Sequence, residues 1–254
     1  METQITGSND MVGSAVTRHL MVRKVLLVCG IVASLIWLGT DILAALHYEG
    51  YSYPLDPISG LSAIDAPTRP FVIPLLNIYL GLKIAFALGV WISAGQKRTL
   101  RITAGLLFAF GLTDLASYFF PWHPAEPVGM SVNVMHAVLA GGLTVLLILL
   151  TIGFGAGADG KWFRFYSYGT LLVMIVVGAL PLLGGFRIAA DQPPEWFGAG
   201  ERINAYGYML WMMVLTIVLL GIRPRSLRLE DREELVDPAE LIENRHGLVG
   251  TDGR

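Results

Sequence analysis

Six long apolar runs determine what this chain can fold into. They cover residues 24–47, 71–95, 100–120, 132–154, 162–185 and 202–222. Each run has about the 20 residues that an α-helix needs to cross roughly 30 Å of hydrocarbon. Helices satisfy their own backbone hydrogen bonds in lipid, and the alternating pattern of a β-barrel strand does not occur in this sequence. The sequence therefore predicts an all-α fold, a polytopic six-helix transmembrane bundle.

The composition agrees with a membrane protein and argues against two other classes. The 254 residues are 54% hydrophobic and 15% charged, whereas soluble domains carry about 25% charged residues. There are 18 Lys and Arg against 20 Asp and Glu, a net charge of -2. No basic excess is thus available for nucleic acid phosphates, so a nucleic acid partner is not expected. The single cysteine excludes a scaffold held by disulfide bonds.

The distribution of basic residues predicts the orientation of the bundle. Lys and Arg concentrate before the first run and in every second loop, whereas the alternate loops hold only Arg69, Arg187 and Arg202. Short loops rich in Lys and Arg stay in the cytoplasm. We therefore expect both termini to be cytoplasmic and the loop between the first two runs to lie outside.

Three regions follow along the chain. Residues 1–23 form a cytoplasmic leader, residues 24–222 the transmembrane domain and residues 223–254 an acidic cytoplasmic tail. The leader is either a short interfacial helix or a frayed segment. Within the tail, residues 238–245 are predicted to form a helix, because Asp237 can cap it, Pro238 takes its first position and Glu240 its third. The tail is a candidate binding segment for a cytoplasmic protein.

Four ionisable residues inside the runs are the candidate catalytic residues: Asp41, Lys83, Asp114 and His136. A charge at the centre of a bilayer costs roughly 2.5–3.5 kcal/mol even on the lenient insertion scale. At 1.5 Å per residue, all but the lysine lie within about 10 Å of the outer boundary, and the long lysine side chain can reach them. We expect one shared polar cavity in the outer half of the bundle. The alternative is a buried hydrogen-bond network that fixes helix register.

Neighbouring polar residues extend this predicted cavity. They lie on the same faces at helical spacing, and we treat them as candidate ligand-binding residues: Asn77, Tyr79, Ser117, Asn133, Asn204 and Tyr208. The loop over residues 48–70 is too long for a tight turn and is expected to cap the cavity.

A divalent metal is an alternative that the residue types allow and their spacing does not favour. Its ligands would be Asp114, His123 and His136, since carboxylate and imidazole groups both suit zinc. The chain lacks the His-x-x-x-His and His-Glu-x-x-His spacings of helical zinc sites. No other cofactor is indicated.

Three classes of function fit these residues, and only the first two use the predicted polar cavity. The first is an intramembrane enzyme or binding protein for a lipid-like or apolar small molecule, with Asp114 and His136 as an acid/base pair. The second is a proton- or cation-coupled transporter, in which Asp41, Lys83 and Asp114 form a relay. The third is a structural or lipid-binding scaffold. Whether the protein is an enzyme stays open at this point.

Several stretches of the sequence resemble a known family. They are residues 50–63 (GYSYPLDPISGLSA), residues 66–69 (APTR), Asp114, Phe120-Pro121 and His136. They are similar to the signatures of domain of unknown function 998, an uncharacterised family of prokaryotic integral-membrane proteins, over a region from near Val25 to Ile222. The resemblance implies a six-helix bundle with a loop-capped outer site in a prokaryotic plasma membrane. Gly60 departs from the family pattern, which usually carries Glu there.

Overall fold

The computed structural model describes residues 2–126, 129, 131–183 and 196–221, with residues 2–16 and 180–183 described by their backbone alone. The α-helices in chain order are α1 (Glu2–His47), α2 (Arg69–Ala94), α3 (Arg98–Ser117), α4 (Ser131–His136), α5 (Thr144–Gly155), α6 (Lys161–Leu183) and α7 (Phe197–Leu219). A 3-10 helix covers Ile58–Ser62, and a π-helix covers Ala137–Leu143 between α4 and α5. The described residues contain no strand, which confirms the all-α prediction.

Six helical segments are long and apolar enough to cross a membrane, as predicted. They are Thr17–His47, Arg69–Ala94, Arg98–Ser117, Ser131–Gly155, Lys161–Ala179 and Phe197–Leu219. The fourth span combines α4, the π-helix and α5. The protein is therefore a multi-pass membrane protein. Which end of the bundle faces the cytoplasm stays a prediction.

Two span boundaries differ from the sequence prediction. The third span ends at Ser117 and not at residue 120, because the next three residues form turns whose N–H groups bond to carbonyls three residues earlier. The last span begins at Phe197, five residues before the predicted start at 202. The sequence places Glu201 in a loop and Arg202 at the boundary of the last run, but the structure places both in the first turns of α7.

The predicted outer regions are described unevenly. Helix α1 continues without a break through residue 23, the predicted end of the leader. The interfacial position of the leader stays a prediction. The acidic tail, with its predicted helix over residues 238–245, lies outside the described residues.

The spans pack in a closed order in which each contacts the next and α7 returns to α1. Glycine permits the closest of these approaches. A Cβ at Gly89 would lie 2.9 Å from the backbone of Leu26, so the main chains of α2 and α1 almost touch at this point. Toward the same end of the bundle, a Cβ at Gly155 would lie 2.6 Å from the ring of Trp211. Small residues at helix interfaces are the usual basis of packing in lipid.

The loop between α1 and α2, residues 48–68, covers one end of the bundle, and we call it the cap loop and that end the cap end. Its main chain bonds to the start of α7, where Ala199 N–H donates to the carbonyl of Pro54 at 2.9 Å. On another side, the N–H of Ile64 donates to the carbonyl of Trp122 at 3.0 Å. The cap loop thus joins the ends of α1, α2, α3 and α7.

Candidate functional site

The polar residues of the spans form three hydrogen-bonded groups near the cap end. Lys83 belongs to one group with Asp114, Asp41 to a second with Arg202, and His136 to a third with the corner after α3. The expectation of one cavity shared by all four candidate residues is therefore wrong. Each carboxylate is occupied by the nearest cation on a neighbouring helix, and the imidazole is occupied by a backbone carbonyl.

The first group is an ion pair between α2 and α3. The ammonium group of Lys83 contacts Asp114 directly. Lys83 is fully buried, and its Nζ lies 3.4 Å from the ring centre of Phe110 and 4.9 Å from that of Tyr79. Two aromatic faces thus stabilise the cation where lipid would otherwise surround it. The side chain of Asp114 keeps 24% of its surface exposed, so one side of the pair is open.

Tyrosines surround this ion pair. Tyr79 and Tyr208 lie within electrostatic range of Asp114, as does Tyr118 just beyond the end of α3. Tyr208 is fully buried, and its ring lies 5.6 Å from that of Phe110. Its hydroxyl group has no hydrogen-bond partner among the described residues. A buried polar atom without a partner costs about 1–3 kcal/mol, so it marks a place where a ligand group would be favoured.

The other candidate ligand-binding residues around this pair differ in their position. Ser117 bonds within its own helix, to the carbonyl of Thr113 at 2.9 Å. Asn204 lies one turn before Tyr208 on α7, and its buried Oδ1 also lacks a partner in the described part of the chain. Asn77 is exposed on the outer surface of α2 and does not belong to this group, a correction to the sequence interpretation.

The second group is an ion pair between α1 and α7. Arg202 donates from Nε to Oδ2 of Asp41 and from Nη2 to Oδ1, both at 3.1 Å. Each residue is only 3% exposed. The hydroxyls of Tyr53 and Tyr206 donate to Oδ2 of the same carboxylate at 2.9 and 2.6 Å. They also contact each other. This bidentate geometry gives the strongest form of a carboxylate–guanidinium pair.

Arg202 also fastens the cap loop. Its Nη1 donates to the carbonyls of Tyr53 at 2.7 Å and of Asp56 and Gly198 at 3.2 Å. Its Nη2 donates to the hydroxyl of Tyr51 at 2.7 Å, and burial raises the pKa of Tyr51 to about 12. All five N–H groups of the guanidinium are therefore used. Because this group is complete without a ligand, we interpret it as structural.

The third group holds the corner between α3 and α4. Nδ1 of His136 lies 2.9 Å from the carbonyl of Phe120, to which it must donate, and Nε2 is left as the acceptor of the neutral ring. Asn133 accepts from the N–H of His123 at 3.0 Å and donates to the carbonyl of the same residue at 3.1 Å. Asn133 thus supports the corner.

The described residues contain no cluster of three or more His, Cys, Asp or Glu able to hold a metal ion. The proposed trio of Asp114, His123 and His136 is therefore not assembled, because the carboxylate pairs with Lys83 and the His136 ring with a carbonyl. The acid/base pair of Asp114 and His136 is likewise without a hydrogen bond between its members in the described structure.

Comparison with known proteins identifies the family. Residues 31–218 match the family described as "Protein of unknown function (DUF998)". The chain belongs to the DUF998 family. No curated protein and no solved structure was found to match it. All three polar groups of this DUF998 protein have their helical members within the matched range.

Sequence reasoning missed Arg202 and Tyr206, two members of the second group in the DUF998 protein. Arg202, the first residue of the last run, was counted with the loop charges because the hydropathy of α7 rises only after it. The available signal was the spacing of Arg202 and Tyr206, which places a cation and a hydroxyl on one helical face. An intramembrane carboxylate such as Asp41 requires a partner of that kind.

Proposed function

We propose that this protein binds a lipid-like or apolar small molecule that carries an uncharged polar group, at the pair formed by Lys83 and Asp114. The observation that carries the proposal is the fully buried hydroxyl of Tyr208, without a partner among the described residues, beside a carboxylate that is partly exposed. Following the bias of basic residues, we place the cap end on the outer side of a prokaryotic plasma membrane.

The charges of the site support an uncharged headgroup. Lys83 is already neutralised by Asp114 and covered by two aromatic rings. An anionic headgroup would have to displace that carboxylate, and a cationic one would compete with a buried ammonium group. A hydroxyl or an amide can instead donate to the exposed side of Asp114 and accept from Tyr208. It adds no net charge to the interior of the bundle.

The geometry supports binding ahead of catalysis. His136 is directed to the carbonyl of Phe120, so it does not activate the carboxylate of Asp114 in this arrangement. An intramembrane enzyme of this family would need the acid and the base to act on the same substrate atom. We therefore propose a binding protein first, with an enzyme that uses Asp114 alone as a variant of the same proposal.

The test is a binding measurement with monooleoylglycerol, an uncharged amphiphile that carries hydroxyl groups. The delipidated full chain in mixed micelles is titrated and followed by native mass spectrometry. Tyr208→Phe and Asp114→Asn should each weaken binding at least about fivefold, the equivalent of one lost hydrogen bond of roughly 1 kcal/mol. Oleate at neutral pH serves as the charged comparison and should bind more weakly than monooleoylglycerol.

The control variant is Tyr168→Phe, which makes the same chemical change at an exposed position on α6. It should bind like the unaltered protein. If Tyr208→Phe and Tyr168→Phe bind equally well, the tyrosine hydroxyl does not contact a ligand and the proposal is wrong.

A proton- or cation-coupled transporter is the second candidate, favoured by the ion pair that joins α2 to α3 inside the spans. Protonation of Asp114 would release Lys83, which gives the bundle two states that differ by one proton. Counterflow of a substrate in proteoliposomes that Lys83→Met abolishes would favour transport. Binding without counterflow would favour the first proposal. The scaffold interpretation depends on the tail, outside the described residues, and stays a prediction.

A further inference from the structure

The fourth span changes its neighbours halfway along its length. Helix α5 packs against α3, α6 and α7. The π-helix packs against α3, and within the described residues neither it nor α4 makes a substantial contact with α6 or α7. The bundle is thus closed around Gly155 and Trp211, where α5 meets α7. Among the described residues, a seam is left toward the cap end, between the π-helix and α6.

Both sides of this seam expose apolar side chains and bare backbone. On the π-helix, Val138 is 51% exposed, and a Cβ at Gly141 would meet no other described residue within 4 Å. The π-helix contains no buried residue. On α6, Ile175 is 53% exposed and lies one turn after Leu171, the residue whose side chain lies beside Gly153 of α5. In a membrane, surfaces of this kind contact hydrocarbon.

Two polar residues of α7 lie against the helices that flank the seam, Asn204 against α6 and Tyr208 against α3, on which the π-helix packs. Asn204 and Tyr208 are four residues apart and share a face of α7. Each has a buried oxygen without a partner among the described residues, and Tyr208 is fully buried. Asn204 lies against Gly178 of α6, where a Cβ would be 3.3 Å from its Nδ2. Glycine there leaves α6 without a side chain beside the amide.

We propose that the seam is a lateral entrance for a membrane lipid. One hydrocarbon chain lies between the π-helix and α6, and an uncharged hydroxyl or amide headgroup bonds to Asn204 and Tyr208. The inference rests on the binding function proposed above and adds the route and the second polar contact. It requires the lipid to enter from the membrane and not through the cap loop, which Arg202 holds in place.

A lipid fits this seam better than another protein helix does. The buried oxygens need a hydrogen-bonding group beyond an apolar surface, and a single-chain amphiphile has that arrangement. An apolar helix from a second copy would cover Val138 and Ile175 but would leave both oxygens without a partner, at the cost of a buried unsatisfied group each. A second copy is therefore the alternative outcome of the test.

The first experiment uses a monoacylglycerol probe with a photoactivatable group in its acyl chain and a terminal alkyne. The full chain in nanodiscs is irradiated, and the labelled residues are mapped by mass spectrometry. We expect labelling concentrated in residues 134–143 and 172–179 that excess monooleoylglycerol removes. Equal labelling of all outward faces that the competitor does not remove would indicate annular lipid only and would overturn the proposal. Crosslinks between two copies across the seam would overturn it as well.

The second experiment blocks the entrance. Gly142→Trp and Val138→Trp place an indole on the π-helix, and Gly169→Trp places one on α6, where a Cβ meets no other described residue. Blocking an entrance slows exchange in both directions, so the two π-helix variants should exchange monooleoylglycerol about tenfold more slowly with an unchanged Kd. Gly169→Trp should exchange at the normal rate. All three are compared after circular dichroism confirms folding.

The two proposals fail in different ways. If Tyr208→Phe weakens binding but neither π-helix variant slows exchange, the binding site stands and the lateral entrance is wrong. If Asn204→Ala leaves the Kd unchanged while Tyr208→Phe raises it, the second polar contact is wrong. If Tyr208→Phe and Asp114→Asn have no effect on binding, the binding function itself fails.

Discussion

Replacing Arg202 by Met tests the role assigned to the ion pair between α1 and α7. The substitution keeps a long apolar stem and removes every N–H that holds Asp41 and the cap loop. Both partners are 3% exposed, so solvent cannot compensate the remaining carboxylate. Breaking a buried pair by removing one member costs about 3–5 kcal/mol. We expect a loss of that size, together with release of the cap loop.

Two measurements follow this loss. Reversible unfolding in mixed detergent micelles, monitored by circular dichroism, gives the change in the free energy of unfolding. Chymotrypsin reports the cap loop, because the bond after Tyr51 becomes cleavable once the loop detaches. Arg101→Met, at an exposed position, is the control for loss of an arginine.

The double variant Asp41→Asn with Arg202→Met sharpens the result. It removes the uncompensated charge and should be more stable than Arg202→Met alone, because the two residues are coupled. If Arg202→Met unfolds like the unaltered protein and its cap loop resists chymotrypsin equally, the reasoning that this ion pair fastens the loop is refuted.

Three further predictions concern packing, the corner and pH. Gly89→Leu should destabilise the bundle by at least about 1–3 kcal/mol, because even a Cβ there approaches the α1 backbone to 2.9 Å. The control is Gly81→Leu, where the new side chain meets open space among the described residues. It should be nearly neutral in the same unfolding assay. Asn133→Ala should lower the free energy of unfolding by about 1–3 kcal/mol. It should also speed hydrogen exchange of the His123 amide, whose N–H donates to the side chain of Asn133 in the intact protein. Burial raises the pKa of Tyr51 from 10.0 to about 12, so its contribution to stability is complete below pH 10 and declines as the pH rises to about 12; Tyr51→Phe should flatten that part of the pH profile, and an unchanged profile would contradict the assignment.

The number of spans was predictable because it depends on length and hydropathy alone. A run of about 20 apolar residues in lipid has one low-energy form, the helix. The helix ends were less predictable. Hydropathy starts the last span at Arg202, but the helix begins five residues earlier, at Phe197, because Asp41 and the cap loop compensate the charge of Arg202. Tertiary contacts of that kind are invisible to a sliding window.

The candidate residues were identified more reliably than their partners. Intramembrane charges stand out by their cost, which is why Lys83 and Asp114 were recognised as members of one site. Which carboxylate Lys83 contacts depends on how α2 and α3 are rotated about their axes. That rotation is set by packing across several helices, such as the close approach at Gly89, and no local pattern encodes it. The same limit explains why Asn77 was expected inside the bundle and lies on its outer surface.

The π-helix lets the two halves of the fourth span differ in their rotation about the helix axis. The hydroxyl of Thr144 bonds to the carbonyl of Leu139, five residues earlier, in keeping with a widened turn. One residue more in a turn offsets the faces before and after it by about 100°, the rotation of a single α-helical residue. The face of α4 that carries His136 can therefore point toward the corner after α3, while α5 keeps the rotation that packs it against α7. Deleting a single residue from this segment would remove the rotational offset between α4 and α5. Only one of the two could then pack against its present neighbours.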